Sequence, residues 1–168
     1  CFCSRNTKML VKAYLVYVRP LLESNSSAWS PYLAKDVKAI ESVQRRFTKS
    51  LHGMADRSYA ERMQALNLES LEERRIRADL INAYKLQFGL YRADASHLFE
   101  RNRYTATRSH EHKVIVPFAR GDVRKNFYAV RAARMWNQLP AEKVDFSCLK
   151  NFICTLSNLN LRNYCTSL

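Results

Sequence analysis

The chain has 168 residues and is 47% hydrophobic, enough to bury one sizeable core or two small ones. Its 28 Lys and Arg against 15 Asp and Glu give a formal charge of +13, which points to an acidic partner. Three glycines and four prolines are too few for the turns of an all-β chain, and five cysteines without paired spacing argue against a disulfide framework, so the expected class is mainly α.

The sequence opens on Cys1, with no signal peptide and directly before a helical pattern, so a piece of a longer intracellular polypeptide with free thiols is expected, nuclear or cytoplasmic. The most apolar stretch, Met9 to Leu22, contains Lys12 and Arg19 and falls short of the roughly 18 apolar residues of a membrane span. From Thr7 to Leu22 apolar residues lie nearly all round a helical wheel, and Lys8, Lys12 and Arg19 share one stripe, which predicts a mostly buried helix. Pro20 predicts a kink or an end near Arg19, and Ser30-Pro31 reads as the N-cap and first turn of the next helix.

In that next helix lies the stretch IESVQRRFTKSLHG, residues 40 to 53. At about 100° per residue with Val37 at zero, Ile40, Val43, Phe47 and Leu51 fall between roughly 240° and 320°, the expected inner face. Lys35, Lys38, Arg45, Arg46 and Lys49 fall between roughly 80° and 180°, the expected outer face, with Glu41 the one nearby acid. His52-Gly53 supplies a stop. Taken alone, a basic arc on one helix is most often a solvated face.

Ser58 to Glu61 and Ser70 to Glu73 both match the S-x-x-E capping box, so a short helix to about Leu66 and a longer one to about Phe88 or Tyr91 are expected. The second places Ile76, Leu80, Ala83, Tyr84 and Phe88 inward and Arg74, Arg75 and Lys85 outward, with Glu72, Glu73 and Asp79 diluting that surface. Residues 101 to 120, with β-prone Tyr104 to Thr107 and Val114 to Val116, suggest a short hairpin or an extended linker. Asp122 to Leu139, closed by Pro140, and Ser147 to Leu159 complete a bundle of about six helices.

Charge gathers in residues 101 to 134, where nine cations (Arg101, Arg103, Arg108, Lys113, Arg120, Arg124, Lys125, Arg131 and Arg134) face only Glu111 and Asp122. Aromatics are interleaved with them, and single strands are held by that pairing of phosphate neutralisation with base stacking. Phe127 and Trp136 read as core residues; Tyr104 is the better stacking candidate. Cys1-x-Cys3 and His110-x-His112 have the wrong separations for a zinc site, and the two histidines read as surface residues. No G-x-S-x-G elbow, P-loop or Asp-Asp pair offers catalytic machinery, and the doublet Glu72-Glu73 is accounted for by its capping box; no catalytic or metal-binding residue is assigned.

The segments YLVYVRPLLESNSSAWSPYLAKDVKAIESVQRRFTKSLHG and SYAERMQALNLESLEERRIRADLINAYK, followed by RKNFYAVRAARMWNQLP and FSCLKNF, resemble in that order the region after the polymerase core of non-LTR retrotransposon reverse transcriptases of the jockey and CR1 type. Ser24-Asn25 departs from the family's usual aromatic after LLE, and Tyr128 from its second Phe. The resemblance covers nearly the whole chain and implies a thumb-like helical region at residues 1 to 91, a linker or hairpin at 92 to 121 and a C-terminal helical extension at 122 to 168. It also implies that the polymerase core, with its metal-binding [FY]-A-D-D turn and magnesium, and the endonuclease lie outside this sequence. This segment would need no cofactor and would perform no catalysis. Its implied partners are template RNA, the RNA/DNA hybrid and the palm of the parent polymerase. Lys38, Arg45, Arg46 and Lys49 would contact phosphates, and Lys35, Arg101, Arg103, Arg108, Arg120, Arg124, Lys125 and Arg131 complete the candidate nucleic-acid-binding set. The competing reading is a helical protein-interaction module whose basic surface serves solubility.

Overall fold

A computed structural model describes residues 6–92, 98–102 and 110–165. The chain is mainly helical, with helices α1 (Thr7–Ala13), α2 (Arg19–Glu23), α3 (Ser26–Trp29), α4 (Ala34–Ser50), α5 (Tyr59–Ala65), α6 (Leu71–Gln87), α7 (Asp122–Lys125), α8 (Tyr128–Asn137) and α9 (Leu149–Ser157), and a closing 3₁₀ turn at Leu161–Tyr164. It divides into two compact units: Cys1–Arg75 with Thr166–Leu168, and Ile76–Cys165. No helix among the described residues is long and apolar enough to cross a membrane.

In the first unit, α1 and α2 are joined by a π-helical turn, Tyr14–Val18. The Arg19 N–H reaches back to the Tyr14 carbonyl, and Pro20 enters at the start of α2. Proline has no N–H to give to the preceding turn, and a widened turn lets the helix continue rather than end. The expected burial of this helix is not met. Tyr14 alone of its residues is buried, while Tyr17 is 68% and Leu21 76% exposed. Ser30 is also not the predicted N-cap: it closes α3, and α4 begins at Ala34 without a side-chain cap.

Helix α4 turns a different face inward from the one its hydrophobic pattern selects. Its buried residues are Val37, Glu41, Gln44 and Thr48, followed by Leu51, whereas Val43 is exposed and Ile40 and Phe47 are half-buried. On the wheel this rotates the inner face by roughly 80°. The cause is a buried polar network. Gln44 Oε1 accepts from the Tyr14 hydroxyl at 2.9 Å, and its Nε2 donates to the Tyr59 hydroxyl at 3.1 Å and the Glu69 carbonyl at 2.9 Å. The Tyr59 hydroxyl donates in turn to Glu41 Oε1, whose other oxygen accepts from the Leu71 N–H at 3.0 Å. Arg62 Nε donates to Thr48 Oγ1 at 3.2 Å. Satisfied in this way, polar side chains can occupy an interior that period alone assigns to Ile and Val.

Both capping boxes form. Ser58 Oγ accepts from the Glu61 N–H while the Glu61 carboxylate accepts from the Ser58 N–H, and Ser70 and Glu73 repeat the exchange at the head of α6. Gly53 and Gly89, at φ +70° and +66°, follow the ends of α4 and α6, where a left-handed residue is needed. Arg75 and Asp79, expected outward, are buried. Glu72, Arg75 and Asp79 recur three and four residues apart, so a second, polar stripe of α6 is enclosed beside its apolar one.

The second unit holds the larger apolar core. Ile76, Leu80, Ala83 and Tyr84 of α6 pack with Ala132, Ala133 and Trp136 of α8 and with Phe152 and Leu156 of α9. Tyr84 stacks on Phe88 at 4.3 Å and Phe152 at 4.6 Å. The W-N-x-L-P block is structural. Trp136 and Leu139 are buried, and the Asn137 side-chain amide exchanges two hydrogen bonds with the Val114 backbone, at 3.0 and 2.8 Å. Trp136 Nε1 donates to the His112 carbonyl at 2.6 Å, and the Trp136 carbonyl accepts from His110 Nε2 at 2.9 Å. His110 is therefore buried, not a surface residue, and burial holds its pKa below the ordinary 6.5.

The expected hairpin reduces, among the described residues, to one antiparallel bridge between Arg101 and Val114; Tyr104 to Thr107 lie outside them. The helix expected from Asp122 to Leu139 is broken at Asn126-Phe127, where Phe127 is extended and starts α8. In α9 the inner face is Phe152 and Leu156, with Leu149 half-buried and Ile153 exposed.

Candidate nucleic-acid interface

In the first unit, Lys35, Lys38, Arg45, Arg46 and Lys49 are all exposed, and none forms an ion pair with a described residue. They remain outward after the rotation of α4 because their arc starts about 80° from the true inner face. Glu41, the one acid close to their arc on the helical wheel, is withdrawn into the polar network. Burial raises its pKa above the ordinary 4.5, against the opposing hydrogen bonds from Tyr59 and Leu71. Arg45, nearest the buried side, lies over the Tyr59 ring with its guanidinium carbon 4.4 Å from the centroid. The ring holds the guanidinium at the surface, and a guanidinium there can fork onto an anion. Burial, reinforced by Glu41, pushes the Tyr59 hydroxyl well above its usual range, so the platform beneath Arg45 stays neutral. From Lys35 to Lys49 the row of cations spans roughly 21 Å at 1.5 Å per residue.

The candidates of the second unit separate into distinct groups. Arg120 and Arg124 are exposed. Arg101 is exposed as well, with Nη2 donating to the Gln87 carbonyl at 3.3 Å and its guanidinium 5.8 Å from the Phe88 centroid. Lys125 pairs with Asp122 at 3.1 Å on the surface. Arg131 is a correction to the sequence reading. Its Nε and Nη2 donate to both oxygens of buried Asp79, at 2.8 and 3.3 Å, and Nη1 donates to the Asn126 carbonyl at 3.0 Å, so this cation serves the interior. Arg103 and Arg108, like Tyr104, lie outside the described residues.

Phe127 is 55% exposed and Phe118 86%, so the residue read as core stands outside and a second ring stands with it. Trp136 is in the core as expected. Local sequence carried no signal for Phe127, since Gly121 only precedes α7, and Asp122 at its start with Arg124 and Lys125 at its end are charges that favour a helix. Among the described residues no group of three or more His, Cys, Asp or Glu could hold a metal ion, and no disulfide joins Cys148, Cys154 and Cys165.

The chain matches no protein-family model, no curated protein and no solved structure.

Proposed function

We propose that this chain is a helical, non-catalytic segment of a non-LTR reverse transcriptase that holds template RNA or an RNA/DNA hybrid through backbone phosphates. The observation that carries the reading is the exposed, acid-free row of Lys35, Lys38, Arg45, Arg46 and Lys49 along α4. Its roughly 21 Å length lets it reach several successive phosphates of one strand. Contacts of that kind set register without reading bases, as a polymerase that copies any sequence requires. Magnesium and the polymerisation chemistry belong to the core of the proposed parent, and no cofactor is assigned to this segment.

A salt titration tests it. For wild type, log K for single-stranded RNA falls linearly with log salt, by about 0.7 per phosphate neutralised. Changing Arg45, Arg46 and Lys49 together to Ala is expected to flatten that slope by about 2 while the helical circular dichroism is kept. An unchanged slope overturns the reading.

One observation favours a second function, docking onto the polymerase palm or another protein. Val16, Tyr17 and Leu21 project from the first helical segment as an exposed apolar strip. Under that reading the triple variant leaves the salt slope where it is, and substitution of Tyr17 and Leu21 abolishes partner binding.

A further inference from the structure

The second unit carries a surface that phosphate contacts on α4 do not use. Within ten residues Phe118, Val123 and Phe127 are exposed, Val123 by 79%, although large apolar side chains normally bury. Arg120 and Arg124 stand among them, also exposed. Asp122 is the one acid between Val114 and Val130, and its carboxylate lies 3.1 Å from Lys125 Nζ, so it does not neutralise either arginine. The backbone keeps this arrangement firm. Gly121 is extended, α7 makes a single turn, and the Phe127 N–H donates to the Arg124 carbonyl at 3.2 Å, closing that turn directly before the extended Phe127. Directly after Phe127, α8 buries Ala129, Val130, Ala132, Ala133 and Trp136. The exposed rings are thus attached to a packed core.

We propose that Phe118 and Phe127, flanked by Arg120 and Arg124, form a stacking platform for the unpaired bases of single-stranded nucleic acid. The proposal rests on the nucleic-acid reading above and adds to it a preference for single strands. Exposed aromatic rings with two exposed arginines between them in the chain offer both the apolar faces and the positive charge that a strand of bases on a phosphate backbone requires. In a duplex the base faces are already stacked on one another and offer nothing to a ring. An anionic membrane fits less well, since α7 has four residues and forms no amphipathic helix to lie in an interface.

The test compares the full chain with Phe118→Leu/Phe127→Leu, which removes the rings and keeps apolar bulk, on a labelled single-stranded RNA and on an RNA/DNA hybrid of equal length. The expected result is a loss of about tenfold or more in single-strand affinity, no change on the hybrid, and an unchanged salt slope, because stacking neutralises no phosphate. Should the double variant fail to fold, Phe118→Leu alone, at the more exposed site, is expected to give a smaller loss in the same direction. Equal single-strand affinity of variant and wild type overturns the platform while leaving the α4 reading intact, provided the Arg45/Arg46/Lys49 variant still flattens the slope. Binding to vesicles of three parts phosphatidylcholine to one of phosphatidylserine that depends on the rings, without their effect on RNA, overturns it in favour of a membrane surface. Wild-type chain that binds neither nucleic acid overturns both readings.

Discussion

Arg131 and Arg45 carry the same side chain and have opposite uses. Arg45 keeps its charge at the surface, over the Tyr59 ring, and is available to an anion. Arg131 forks onto Asp79, which is almost wholly buried, and its third contact is the Asn126 carbonyl that ends α7. Breaking a buried pair leaves an uncompensated charge inside, which costs more than a surface ion pair returns. Arg131→Ala is therefore expected to lower the unfolding free energy by about 3 kcal/mol in urea titrations. The same variant leaves the salt slope of RNA binding at the wild-type value. A changed slope with intact stability would return Arg131 to the binding set.

At the scale of the element, Glu41 joins three helices. It sits on α4, accepts from Tyr59 at the start of α5, and caps the first N–H of α6 through Leu71. The same network reaches the Tyr14 hydroxyl through Gln44, and burial pushes that phenol up to about 12. The Glu41 pKa is raised from 4.5, chiefly by burial, so the folded chain holds its proton more tightly than the unfolded one. Such a carboxyl favours the native state most below its unfolded pKa, and that contribution is lost as pH rises through the folded value. The unfolding free energy of wild type minus that of Glu41→Gln should consequently fall as pH rises above the ordinary 4.5, measured by urea unfolding from acid to neutral pH. A difference that is flat, or that rises with pH, contradicts a burial-dominated Glu41.

On the whole molecule, a charge of +13 creates a general attraction to polyanions, and the placement of the cations decides what that attraction does. On the proposed reading the arginines and lysines on α4 and the Phe118 surface would meet phosphates and base faces, groups common to every sequence. Two single strands of equal length and scrambled sequence are therefore expected to bind within about threefold of each other, since base-edge readout would separate them further. Competition binding at fixed salt checks this. A much larger gap would require a base-reading contact that neither surface provides.

Much of the architecture was legible from local chemistry. The helical class, both capping boxes, the stop at Gly53 and the inner stripe of α6 follow from interactions spanning four residues or fewer, which the order of residues fixes directly. The outward face of α4 was legible too, because a cation row with no partner within its own helix has no local reason to turn inward. Tertiary structure alone decided the inner face of that helix, the burial of Arg75, Asp79 and His110, the exposure of Phe127 and of the first helical segment, and the internal use of Arg131. The inner face of α4 and the internal use of Arg131 depend on partners far away in the chain, as Gln44 depends on Tyr14 and Arg131 on Asp79. A polar side chain is inexpensive to bury only once such a partner is in place, and helical period carries no record of it.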